Sequence, residues 1–175
     1  SSPLMLEDEI RFYFTRSYER HGEDHLARED RPERQVCVAR SKPDRFVAAQ
    51  CDATGHILTR PFWQPAPTIF VNARCRTGGY IKAEILDVEG RVIPGFEMEK
   101  CHPIEGDTLA GELCWIDSPG FEALSGKEIR IRMEVKEASL FSIAAGDKSE
   151  ISNYRNFKES FFLPKDQETY QKPRH

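Results

Sequence analysis

The sequence predicts an all-β fold, an antiparallel β-sandwich of the jelly-roll or concanavalin-like kind with short irregular loops and little helix. Three observations carry this expectation. Apolar residues recur at every second position, most regularly at Ile129, Ile131, Met133 and Val135, with Arg130, Arg132, Glu134 and Lys136 between them. Two further runs of the same period, Ile69-Val71-Ala73-Cys75 and Ile81-Ala83-Ile85, flank Gly78-Gly79. Turn compositions such as Asp87-Val88-Glu89-Gly90 and Pro94-Gly95 punctuate the runs, and no apolar stripe at helical spacing is sustained.

Taken in order, residues 1–8 read as a terminal segment or linker, 9–145 as the sandwich domain, and 146–175 as a polar, partly ordered C-terminal tail. Glu9 to Thr15 predicts a strand with Ile10, Phe12 and Phe14 on one face, since aromatics suit a pleated, half-buried surface. From Arg16 to Arg34 charge of both signs is dense and apolar residues are few, so burial cannot offset chain entropy and a long exposed loop is expected. His21 and His25 would share a face on a helix, but Gly22 interrupts them and no apolar stripe supports the helix. A solvated loop, with no metal, is the expectation there.

Gln35 to Ala39 and Arg45 to Cys51 read as a hairpin across Ser41-Lys42-Pro43-Asp44, and Gly55 to Arg60 as a further strand. Pro61, Pro65 and Pro67 hold Phe62, Trp63 and Gln64 in a stiff linker barred from a central sheet position. From Thr68 the chain reads as two strands joined by a tight reversal at Gly78-Gly79, with a bulge or strand end near Leu86. Glu99 to Asp107 reads as an irregular loop, and Leu109 to Ile116 as a strand with Leu113 and Trp115 on one face and Cys114 and Ile116 on the other. Ser118 to Gly126 is a loop or single helical turn, and Lys127 to Lys136 and Ser139 to Ala145 close the domain. In the tail, Tyr154, Phe157, Phe161 and Phe162 form a short aromatic cluster suited to docking.

Composition excludes several function classes. A net charge of -4 and a pI near 5.8 argue against nucleic acid as a partner. No apolar run approaches the roughly 20 residues that span a bilayer, and the first residues lack the order of a signal peptide, so any such signal is expected upstream. Five widely spaced cysteines imply at least one free thiol and no zinc framework; Cys37 and Cys75 read as small buried hydrophobes, with a single bridge involving Cys101 the leading exception. Neither a nucleophile elbow nor a phosphate-cradling glycine loop occurs, and no cofactor is expected.

The run FVNA, then GG, then LDVEG and IPGF, followed by Cys101 to Asp107 (CHPIEGD), Trp115, Leu124 to Lys127 and Ile129 to Phe141, resembles the C-terminal β-sandwich of levanase- and invertase-like glycosidases. In those enzymes the sandwich follows a catalytic five-bladed propeller. The likeness covers about residues 9–145 and implies that Trp115 belongs to the core framework. It implies an accessory module whose partners are a polysaccharide or oligosaccharide and a catalytic propeller, with the bond-cleaving acids upstream of anything present here. It also implies an extracellular or periplasmic location if the parent enzyme is secreted.

Four residues are candidates for carbohydrate contact. Trp63, beside Phe62 on a proline-stiffened segment, offers a flat apolar face with one N–H, which matches a pyranose ring; the competing reading is that both rings cover an edge of the core. Arg130 and Arg132 carry guanidinium forks suited to the carboxylate or sulfate of an anionic sugar, against a competing reading as a solvated face with cross-strand ion pairs. Catalytic residues are not expected. Glu84, Asp87, Glu105, Asp107, Glu112 and Asp117 supply carboxylates, but no motif fixes two of them at the spacing glycoside cleavage needs. Three functional classes stay open: a carbohydrate-binding or propeller-bracing module, a hydrolase or hydrolase fragment, and a structural or protein-interaction domain without a sugar ligand.

Overall fold

The structure, a computed structural model, describes residues 2–6, 8–16, 35–63 and 67–146. The chain divides into two compact units, Ser1–Pro43 and Asp44–His175. Among the described residues the protein is all-β and sandwich-like. Its strands are antiparallel, and its helical turns are two short 3-10 segments, Met98–Lys100 and Phe121–Leu124. The second of these is the single helical turn expected before Gly126.

In the first unit β1 (Leu4–Met5), β2 (Ile10–Arg16) and β3 (Gln35–Ser41) form a three-stranded sheet in that order. The aromatic-rich strand is β2, and Leu4–Met5 already pairs with it, so order begins earlier than the sequence suggests. Of the strand residues in this sheet only Ile10 is buried, while Tyr13, Phe14, Val36 and Val38 are exposed. β3 pairs with β2 and not with the strand that follows it, so the hairpin expected from Gln35 to Cys51 does not form. The charged segment 17–34, with His21 and His25, lies outside the described residues, as does the aromatic cluster of the tail.

The second unit holds one sheet of five strands: β4 (Ala49–Leu58), β5 (Phe62–Trp63), β6 (Thr68–Leu86), β7 (Asp107–Glu112) and β8 (Glu128–Gly146). β8 lies in the middle, with β6 on one side, β7 beyond it, and β4 and β5 on the other side. Leu58 faces Arg132 and Phe62 faces Ile129, so β4 and β5 are one edge course interrupted at Thr59-Arg60-Pro61. The expected strands 45–51 and 55–60 are thus parts of a single strand that begins at Ala49. Phe62-Trp63 joins the sheet, at an edge where neighbouring prolines are tolerated.

Gly78-Gly79 does not reverse the chain. β6 pairs with β8 on both sides of it, Cys75 with Ala138 and Tyr80 with Lys136, so residues 76–79 bulge out opposite Glu137 alone. The glycines serve this bulge. Gly78 takes φ 82°, and a Cβ on Gly79 would lie 2.5 Å from the Glu137 carbonyl oxygen. β4 also slips at this level, between Cys51 and Thr54, and Glu137 has φ 44°. The irregularities form a crease across three strands. A straight strand would separate Ile131 from Ile143 by roughly 40 Å, yet both line one groove. The sheet therefore curls at the crease until its two halves face each other, without closing.

The expected inward rows fill the space between the halves: Ile69, Val71, Ile81, Ile85, Ile129, Ile131 and Met133 are buried in one cluster. The connections between β6 and β8 cap it with Phe96, Trp115 and Phe121, whose rings meet at 5.3–5.8 Å. Trp115 is core, as expected, and its Nε1–H donates to the Ala83 carbonyl at 2.9 Å. Strand β7 stops at Glu112, short of Trp115, which instead bridges Cys101. On the outer face Arg45, its side chain 3% exposed, donates to Asn72 Oδ1 at 2.8 Å and pairs with Asp107 at 2.6 Å. All five cysteines are free, and Cys101 Sγ accepts the Ala83 N–H at 3.2 Å in place of the bridge entertained for it.

Candidate functional site

Phe62 and Trp63 occupy adjacent positions of β5 and so point to opposite faces. Phe62, opposite Ile129, turns inward and packs on the core. Trp63, opposite Glu128, stands 65% exposed. Both line a groove of about 290 Å³ with Thr59, Ile69, Ile131, Ile143 and Ala145. The groove is the open seam of the curled sheet, where β4 has already ended alongside β8. Its walls are apolar, and the Thr59 hydroxyl is engaged by the Ile131 N–H at 2.9 Å.

Arg130 and Arg132 share a face with Glu128, and register places Trp63 on that face too. The two arginines differ in what holds them. Arg132 is committed to the buried carboxylate of Glu84, its direct cross-strand partner. Arg130 is half-buried, and its Nε has no hydrogen-bond partner. Aromatic and guanidinium are therefore brought to one face, with Arg130 the less engaged of the pair.

A second hollow, of about 170 Å³, opens at the crease and is lined by Gln50, Cys51, Arg74, Arg76, Glu137, Ala138 and Ser139. Register sets Gln50, Ser139 and Arg74 side by side across β4, β8 and β6. Sequence reasoning missed this row. Arg74 read as one more outward residue of its strand, and only the pairing of three strands far apart in the chain assembles its neighbours. A faint signal was present in Arg74-x-Arg76 placed immediately before Gly78-Gly79.

The acids are mostly occupied by structural partners. Asp87 is held below the ordinary carboxylate range, first by the backbone N–H of Arg91 and then by that residue's guanidinium. Glu97 is lowered by backbone N–H groups, its own and Gly95's, with Lys100 adding to them. Asp52 is lowered by the Gln50 amide and by Arg76. Glycoside cleavage needs a carboxyl shifted the other way, so that it can donate a proton near neutral pH. Burial raises the thiols of Cys75 and Cys101, which disfavours the nucleophilic thiolate.

Among the described residues no group of His, Cys, Asp and Glu is placed to hold a metal ion, and no helix is long and apolar enough to cross a membrane. Compared with known proteins, the chain matches no family model, no curated protein and no solved structure.

Proposed function

We propose that this chain is a non-catalytic β-sandwich module of a carbohydrate-active enzyme, and that its groove at Trp63 binds an oligosaccharide or polysaccharide. One observation carries the reading: of two tryptophans, Trp115 is locked in the core by a hydrogen bond, while Trp63 is left in solvent beside an apolar groove. An exposed ring beside an apolar groove offers a flat face that the apolar face of a sugar can cover. Strand pairing of β5 with β8 fixes the ring's backbone before any ligand arrives, which lowers the entropy lost on binding. Arg130 shares the Trp63 face and would meet a ligand that extends from the groove over that ring, while Arg132 stays committed to Glu84.

Binding of the full chain to a panel of neutral and acidic glycans tests this. Trp63→Ala should abolish affinity while moving the melting temperature little, because an exposed ring contributes little to stability. A parent protein that binds none of the panel, or a variant that binds as the parent does, would defeat the proposal. Fructans, arabinans and algal polysaccharides should yield no free sugar on incubation with the chain. Reproducible release that disappears with one of its carboxylates would make it a hydrolase.

A second reading, favoured by a different observation, is that the module braces a catalytic propeller. The first unit leaves Tyr13, Phe14, Val36 and Val38 uncovered on a three-stranded antiparallel sheet. Propeller blades are small antiparallel sheets that bury such faces against one another. The resemblance to levanase- and invertase-like glycosidases supports both readings, and with them an extracellular or periplasmic setting.

A further inference from the structure

We propose that the crease is a second binding site, one that takes the carboxylate-bearing ring of an acidic sugar such as glucuronate. It extends the carbohydrate reading to a place separate from the Trp63 groove and does not depend on that groove. The cleft of about 170 Å³ gathers an amide, a hydroxyl, two guanidiniums and a carboxylate from three strands. Arg76 is tied to Asp52 at 2.8 Å, so its charge is balanced and its fork is not free. Arg74 touches the Phe141 ring at 5.7 Å and otherwise makes no hydrogen bond or ion pair. Among the described residues the side chains of Glu137 and Ser139 likewise make no hydrogen bond or ion pair, and Glu137, at φ 44° in the bulge, is part of the cleft's lining.

The combination selects a ligand. Arg74 demands an anion, and a planar carboxylate matches its fork. Glu137, lining the same cleft, repels a bare anion but accepts hydroxyl protons. Gln50 Nε2 already donates to Asp52 Oδ1 at 3.1 Å, which leaves its carbonyl oxygen and second N–H for a ligand, and Ser139 can donate or accept. A molecule with a carboxylate at one end and hydroxyls at the other satisfies all four, and a uronate ring is such a sugar. A neutral sugar would leave Arg74 without its ion pair, and a simple carboxylate would leave Glu137 facing it. Bulges are common where a sheet re-aims a side chain toward a ligand.

Titration of the full chain with glucuronate, glucose and acetate, followed by calorimetry and by backbone amide resonances, tests the site. Glucuronate should bind with shifts centred on Gln50, Glu137 and Ser139, and glucose and acetate about tenfold or more weakly. Arg74→Gln should weaken glucuronate by about ten- to a hundredfold, the worth of a charge-assisted hydrogen bond. Glu137→Gln should weaken glucuronate and strengthen acetate, a reversal that mere loss of structure would not give. Ser139→Ala provides a milder variant if Arg74→Gln disturbs the fold. Trp63→Ala should leave glucuronate affinity unchanged, so failure of the groove reading and failure of this one are separable. The proposal is overturned if folded protein shows no response to glucuronate, if acetate binds as tightly, or if Trp63→Ala removes the binding.

Discussion

In β2 the row Ile10, Phe12, Phe14 passes from buried to half-buried to exposed along the strand, whereas in β8 the row Ile129, Ile131, Met133, Val135 is buried throughout. Both rows place apolar residues at alternate positions in sequence. The difference teaches that period-two patterning specifies which side chains share a face and not whether anything covers that face. In the second unit the curl of the sheet and the connections from Asp87 to Lys127 supply the cover. The first unit has no comparable layer of its own among its described residues, and a sheet with one buried strand residue falls well short of offsetting the entropy of ordering its chain.

The sharpest way to break that contrast is to separate the units. Residues 44–146 alone should melt in one cooperative transition, while residues 1–43 alone should show none by circular dichroism. A cooperative melt of the first unit would mean that its exposed apolar residues are no deficit. Next in size, Ile131→Ala should cost about 2–5 kcal/mol in denaturant unfolding, because it empties a fully buried site. Val38→Ala in the first sheet should stay within about 0.5 kcal/mol, as exposed positions generally do. Equal costs would erase the distinction.

The smallest effect is on pH dependence. Burial lifts the Cys101 thiol above its ordinary value of 9.0, with the Ala83 N–H working weakly against it. The folded state then holds its proton where the unfolded chain gives it up. Its contribution to stability is complete below the ordinary value and is lost as the pH rises through the raised folded value. Cys75, also raised by burial, acts in the same direction, and both lie in the second unit. Melting under reductant should therefore shift down at alkaline pH, and Cys101→Ala should shrink the slope; an unchanged slope would show that this thiol carries none of it.

How far the molecule can be read from its residues follows from the same contrast. The inward rows of β6 and β8 were legible because both faces of a strand are recorded locally, in alternate letters. Pairing was not, since it is decided by distant partners. Gln35 to Ala39 looked like the mate of the next extended run, as neighbours in sequence often are, but pairs backward with β2 instead. Gly78-Gly79 misled for a related reason: the same dipeptide suits a reversal and a close backbone approach, and only the position of the Glu137 carbonyl distinguishes them. At the candidate sites, proline context singled out Trp63 but not its exposure. The row Gln50, Ser139, Arg74 is a product of register across three strands and has no local signature.

The register of β6 with β8 also governs how quickly this chain can reach its native state. Thr68 meets Gly146 and Leu86 meets Arg130, so even the nearest contact between these two strands waits until everything from 87 to 129 has been placed between them. Each pairing closes a long loop before it returns any stabilisation, which is the condition for slow folding. During synthesis β6 emerges from the ribosome well ahead of the strand that will flank it, and must pass that interval as an apolar segment with an open edge. Gly78-Gly79, which serve the bulge in the finished sheet, interrupt that segment with residues of poor strand propensity, so the dipeptide that lets the sheet bend also breaks up the stretch most exposed to self-association while the chain is still incomplete.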